Sequence, residues 1–125
     1  MLLYLGDDSE DSDEEEALEG GDTAFPLAGH APQEQARLAE SYSAALGLSG
    51  SNPEDAAGVD TSVCSGLKVR PVKGDAVVFY NLRPPLPSSD EPPSVPDVST
   101  FHQSCAVTKG TKWAANMWFY NHKPD

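Results

Sequence analysis

The stretch Phe101-His-Gln-Ser-Cys-Ala-Val-Thr-Lys-Gly-Thr-Lys-Trp113 reads as two extended runs hinged on Lys109-Gly-Thr111. Thr100 to Val107 forms the first run, and Lys112 to Tyr120, carrying Trp113, Met117 and Phe119, forms the second. Nine residues separate His102 from Lys112. Two antiparallel strands joined by a short turn return to the same end of a sheet, so the two side chains can face one cavity. An imidazole suits a borderline metal such as Fe(II), and a lysine ammonium suits a carboxylate of an acidic small molecule.

Working outward, Leu67-Lys-Val-Arg-Pro71 alternates apolar and polar residues as a half-buried strand does. Val72-Lys-Gly-Asp75 then turns into Ala76-Val-Val-Phe-Tyr-Asn-Leu82, a strongly apolar strand. Pro84 to Pro96 holds six prolines and is expected to be a surface loop, since proline cannot donate to a central ladder. The first half has fewer signals. Leu2-Leu-Tyr-Leu5 is a short buried strand, and its full hydrophobicity from the first residue suggests further residues upstream. Gly20-Gly-Asp-Thr-Ala-Phe-Pro26 is a glycine turn into a strand that proline ends. From Pro32 to Leu48, Leu38, Tyr42, Ala45 and Leu46 recur at helical spacing, with Pro32 near the first turn and Gly47 near the C-terminal cap. Gly50 to Ser65 is a linker without periodicity.

Composition narrows the function classes. A net charge of -12 with eight Lys and Arg leaves no basic stripe to displace counterions from a phosphate backbone, which excludes nucleic acid as a partner. Nine of the twenty acidic residues lie between Asp7 and Glu19 with almost no apolar payload, which predicts a solvated acidic loop. Ser9 and Ser12 within it are candidate phosphorylation sites. No apolar run approaches the roughly 20 residues needed to cross a bilayer, and the start lacks the basic flank of a signal peptide. Cys64 and Cys105 lack the CxxC spacing of a zinc site and are compatible with one disulfide or with two thiols.

Five blocks in order resemble the prolyl 4-hydroxylases of plant and algal type, within the Fe(II)- and 2-oxoglutarate-dependent dioxygenases. They are Leu2-Leu-Tyr-Leu5, Gly20 to Pro26, Val69-Arg-Pro-Val-Lys-Gly-Asp75, Phe79-Tyr-Asn81, and His102-x9-Lys112-Trp113-x4-Trp118. The resemblance covers Met1 to Leu5, Gly20 to Pro26 and Cys64 to about Tyr120, the C-terminal part of that domain. It implies a mainly β fold, a partial double-stranded β-helix or jelly roll with one short helix and disordered acidic and Pro-rich loops. Residues 1–125 would then be a single incomplete dioxygenase domain, with an acidic loop at 7–19, a helix and linker insertion at 32–63 and catalytic-half strands at 66–120.

The same resemblance implies His102 as the distal histidine ligand of Fe(II) and Lys112 as the cation holding the distal carboxylate of 2-oxoglutarate. Trp113 and Trp118 would pack around or beneath that cavity. It further implies peptidyl proline hydroxylation with O2, ascorbate as a supporting reductant, a proline-containing peptide or protein as partner, and residence in the endoplasmic reticulum or Golgi. The sequence departs from the family in two places. His30, His102 and His122 are followed two positions later by Pro32, Ser104 and Pro124, so no His-x-Asp or His-x-Glu supplies the remaining ligands of a two-histidine, one-carboxylate triad. Ala106 stands where the family usually has proline, a change of turn stiffness. His30 and His122, in a loop and at the tail, are expected to be solvent-exposed. A fragment inactive alone is thus one reading, and a non-catalytic interaction module using the acidic loop is the other.

Overall fold

The computed structural model describes residues 1–6, 18–48, 50, 54, 60, 62–85, 87, 90 and 95–119. The acidic run with Ser9 and Ser12, most of the Gly50 to Ser65 linker, the middle of the proline-rich stretch and His122 lie outside the described residues. The described chain is mostly short strands with a single α-helix, consistent with the expected jelly-roll-like fold. It divides into two compact units: Met1–Thr23, Val69–Phe79 and Ser104–Asp125 make the first, Ala24–Lys68 and Tyr80–Gln103 the second.

In the first unit, β1 (Leu2–Gly6) is the middle strand of an antiparallel sheet, between β10 (Trp113–Asn116) and β5 (Ala76–Val77). Its alternation explains the arrangement: Leu2 and Tyr4 are buried, whereas Leu5 is half exposed, as period-two geometry requires of a one-sided strand. Leu2 faces Asn116 and Val77, Leu3 faces Ala115 and Ala76, and Tyr4 faces Ala114. The register then slips so that Gly6 meets Trp113, at a glycine whose φ of 121° a side chain would rarely adopt. The Met1 ammonium donates to Met117 O at 2.9 Å and Met117 N–H donates back to Met1 O at 2.8 Å, closing that end of the ladder.

Beside it, β2 (Glu19–Gly20) pairs with β9 (Val107–Lys109). Gly20 is required here: its φ is +77°, and a Cβ would collide with the Ala106 carbonyl oxygen. Gly21 N–H to Ala106 O and Cys105 N–H to Asp22 O, at 2.9 and 2.8 Å, carry the contact onward.

In the second unit, Ala24, Phe25 and Leu27 form the buried centre. They follow from β3 (Thr23–Phe25), which lies between β4 (Leu67–Val69) and β8 (Gln103–Ser104). The expected helix is α1, Pro32–Ala45, with Pro32 in its first turn and Gly47, at φ +64°, just after the Leu46 cap. It buries Tyr42 and Ala44 and sets the Tyr42 ring 5.4 Å from that of Phe101. Gln35 Nε2 donates to Leu27 O at 3.1 Å, tying the helix to the buried centre. β6 (Leu82–Arg83) and β7 (Val95–Pro96) form a two-stranded ribbon, a setting in which proline is tolerated. The proline-rich stretch therefore ends in a strand, not wholly in a loop.

Four expectations are corrected. The runs flanking Lys109-Gly-Thr111 do not pair with each other: β9 pairs with β2 and β10 with β1, because β1 buries its apolar face only with β10 alongside. Thr100 to Val107 is not one strand but a 3-10 turn (Val98–Thr100), then β8, then β9, and His102 stands between the turn and β8. Ala76 to Leu82 is strand only at its ends, and Val78 and Tyr80 are 63% and 79% exposed, since the ladder to β1 stops at the Leu2–Val77 pair. Trp113 and Trp118 do not enter the core; both are more than half exposed, because β10 is an outer strand of its sheet among the described residues. Leu67 is likewise exposed, so only Val69 of β4 is partly buried. Neither Cys64 nor Cys105 is a free thiol; both are in the disulfide form.

Candidate functional site

The two residues singled out by sequence fall in different units, Lys112 in the first and His102 in the second, and each has its own surroundings. Lys112 immediately precedes β10, whose register against β1 carries its side chain over Tyr4, with Nζ 5.4 Å from the ring centroid. The ammonium donates to Gly21 O at 2.5 Å, to Ser104 Oγ at 3.4 Å and to Thr23 Oγ1 at 3.5 Å. Tyr4 Oη donates to the same Thr23 Oγ1 at 2.7 Å. Tyr4 and Thr23 are 1% and 2% exposed, so this hydroxyl pair is sealed in the unit's interior beneath the lysine.

The lysine sits in a partly desolvated setting. Burial pushes the Lys112 ammonium below the ordinary lysine range, and the Asp22 carboxylate only partly offsets this. Thr23 Oγ1 accepts from both Tyr4 and Lys112, which leaves its own hydrogen to be donated. Gly21 guards the lysine's path: its φ is +71°, and a Cβ there would lie 3.2 Å from the Lys112 stem and 3.1 Å from Val107.

His102 leaves the 3-10 turn with its Nδ1 2.9 Å from Thr100 O. A carbonyl oxygen can only accept, so Nδ1 is the donor in this contact. The ring sits 5.7 Å from that of Phe25 and lines a cavity of about 330 Å³ with Ser43, Asn81, Asp97 and Phe101. Asp97 is engaged as the cap of the turn, accepting from Ser99 N–H at 3.0 Å and Ser99 Oγ at 2.6 Å.

Among the described residues no group of three or more His, Cys, Asp or Glu is placed to hold a metal ion. His102 is present, but the described residues do not complete an iron centre around it. His30 is exposed, with its Nδ1 3.1 Å from Glu34 Oε2 across one turn of helix. Sequence reasoning passed over Tyr4 and Thr23. The signal available was a tyrosine and a threonine inside short apolar runs, whose hydroxyls must find partners once buried.

The model of the 2OG-Fe(II) oxygenase superfamily matches residues 1–120. "Probable prolyl 4-hydroxylase 9" of Arabidopsis thaliana is 43% identical over 61 residues, 49% of this chain and 18% of that protein. "Prolyl 4-hydroxylase 1" of the same plant is 30% identical over 118 residues, 94% of this chain and 27% of that protein. "Probable prolyl 4-hydroxylase 10" is 30% identical over 125 residues, 98% of this chain and 30% of that protein. The chain thus spans less than a third of the length of each of these relatives. No solved structure matches. With nearly its whole length matched, this chain belongs to the 2OG-Fe(II) oxygenase superfamily, whose members use Fe(II) and 2-oxoglutarate.

Proposed function

We propose that this chain is the 2-oxoglutarate-binding part of a prolyl 4-hydroxylase, and that residues outside these 125 supply the remaining iron ligands. The observation that carries the reading is the part-buried Lys112 ammonium, seated over Tyr4 and hydrogen-bonded to Gly21 O, a cation that a carboxylate would meet by displacing one of its present acceptors. Lys112 neutralises that carboxylate, and the buried Tyr4–Thr23 pair beneath it holds the ammonium in place. When bound, 2-oxoglutarate supplies two electrons for the hydroxylation by O2 and leaves as succinate and CO2. His102 would contribute one imidazole to the iron centre. No step through the iron is assigned to this chain, because its described residues do not complete the site.

The substrate in this reading is a proline-containing peptide or protein, as the names of the relatives suggest for those proteins. Ascorbate would serve as the supporting reductant, and the enzyme would work in the endoplasmic reticulum or Golgi. No helix among the described residues is long and apolar enough to cross a membrane. A second reading, a non-catalytic interaction module, is favoured by one observation, the absence of a metal-holding group among the described residues.

Two assays test the proposal. Calorimetric titration of the chain with 2-oxoglutarate should show binding that Lys112→Ala weakens roughly 10- to 100-fold, the scale of a lost charge-assisted bond. Equal affinity in the variant would contradict the role of Lys112. Succinate formation with Fe(II) and a proline-rich peptide should be absent for these 125 residues alone and present in a version that contains a His-x-Asp. Absence of turnover in that longer version would favour the non-catalytic reading.

A further inference from the structure

The Lys112 ammonium carries three N–H donors and has three acceptors within reach, and the three acceptors differ in how firmly they are held. Gly21 O is a backbone carbonyl at 2.5 Å, in a turn that Gly21 N–H fastens to Ala106 O at 2.9 Å. Thr23 Oγ1, at 3.5 Å, is buried and tied to Tyr4 Oη at 2.7 Å. Neither can turn aside for an incoming group. Ser104 Oγ, at 3.4 Å, can: Ser104 is exposed, and among the described residues its hydroxyl makes one other contact, to Cys105 O, also at 3.4 Å. Both lengths are well beyond the roughly 2.7–3.0 Å of a good hydrogen bond, so the side chain rotates at little cost. Its backbone does not move with it. Cys105 N–H donates to Asp22 O at 2.8 Å, which anchors the chain beside Ser104 to the same Gly21–Thr23 segment that Lys112 binds.

We propose that Ser104 is a second binding residue for the distal carboxylate of 2-oxoglutarate, an inference that rests on the reading of Lys112 as the cation for that carboxylate. The exposed side of the ammonium is the side of Ser104, so a carboxylate arriving from solvent meets Lys112 there. It takes the N–H now directed at Ser104 Oγ, the most weakly held of the acceptors. The Ser104 hydroxyl then turns from Cys105 O and donates to the other carboxylate oxygen, exchanging a long contact with a neutral carbonyl for a bond to a charged group. No proton changes owner in this exchange. The hydroxyl adds no charge, so its contribution is geometric: it fixes the orientation of a carboxylate that a lysine alone binds as a point charge.

The test is calorimetric titration of the full 125-residue chain and of Ser104→Ala with 2-oxoglutarate and with 2-oxopentanoate, which lacks the distal carboxylate. Ser104→Ala should weaken 2-oxoglutarate about tenfold, the scale of one hydrogen bond to a charged group, and leave 2-oxopentanoate unchanged. Its thermal melt should match that of the natural chain, and Ser104→Thr, which keeps a hydroxyl, should retain the affinity. In a Lys112→Met background Ser104→Ala should cost less than it does in the natural chain, because the two residues hold one carboxylate. Unchanged 2-oxoglutarate affinity in Ser104→Ala, an equal loss for both ligands, or additive losses with Lys112→Met would overturn the role of Ser104. The underlying reading is scored separately by Lys112→Met alone. If that variant weakens 2-oxoglutarate and Ser104→Ala does not, only the role of Ser104 falls; if Lys112→Met has no effect, the reading of Lys112 falls and this inference with it.

Discussion

Lys112 is the residue on which the proposed function rests, and its environment makes that proposal measurable. Burial holds its ammonium below the ordinary lysine range in the folded chain. In the alkaline window between that lowered value and the ordinary one, the unfolded chain binds more protons than the folded chain, so stability rises with pH there. At pH below both values, the burden of the buried charge is fully present. We predict that thermal melts show this rise on approach to the ordinary lysine value and that Lys112→Met flattens it. Affinity for 2-oxoglutarate should move the other way, falling over the same window as the ammonium that meets the carboxylate loses its proton. Tyr4→Phe is a second test at this scale: it removes the 2.7 Å bond to Thr23, costing about 1 kcal/mol of stability in denaturant titrations. The same variant should weaken 2-oxoglutarate, because Thr23 is no longer held.

At the scale of elements, the decisive pairings are β10 on β1 and β9 on β2, each fixed by a glycine. Gly20→Ala would drive a Cβ into the Ala106 carbonyl at a positive φ, and we predict a loss of about 1–3 kcal/mol with faster amide exchange at Gly21 and Cys105. The alternation of Leu2-Leu-Tyr-Leu5 and the Pro32 and Gly47 boundaries of the helix were legible because they depend on neighbours in sequence. The partner of each strand was not. Lys109-Gly-Thr111 has the signature of a hairpin turn, yet the strands on either side pair with β2 and β1, far away in sequence, as the burial of Leu2 and Tyr4 requires. Nor could periodicity show that Val78, Tyr80 and Trp118 remain exposed, because an apolar strand and its cover are separate facts. His102 and Lys112 could be singled out through their motif, whereas the contacts of Lys112 with Tyr4 and Thr23 became visible only in the β10 register that places it above them.

For the whole molecule, the same facts set the limits of activity and solubility. Among the described residues no group of three or more His, Cys, Asp or Glu is placed to hold a metal ion, so we predict that the chain alone does not retain Fe(II) stoichiometrically after desalting, measured by metal analysis. Exposed Val78, Tyr80, Trp118 and Phe119 leave apolar surface beside short, unpaired strand edges, which favours self-association at raised concentration despite the net charge of -12. The reading of the molecule nevertheless rests on one contact, that of the cosubstrate's distal carboxylate with the Lys112 cluster. The most direct measurement compares the affinities of 2-oxoglutarate and 2-oxopentanoate, which lacks that carboxylate, for the natural chain and for Lys112→Met. We predict that the natural chain prefers 2-oxoglutarate by at least about tenfold and that the variant prefers neither, the loss of one charge-assisted contact. An equal preference in both chains would show that the carboxylate is held elsewhere, contradicting the assignment of Lys112.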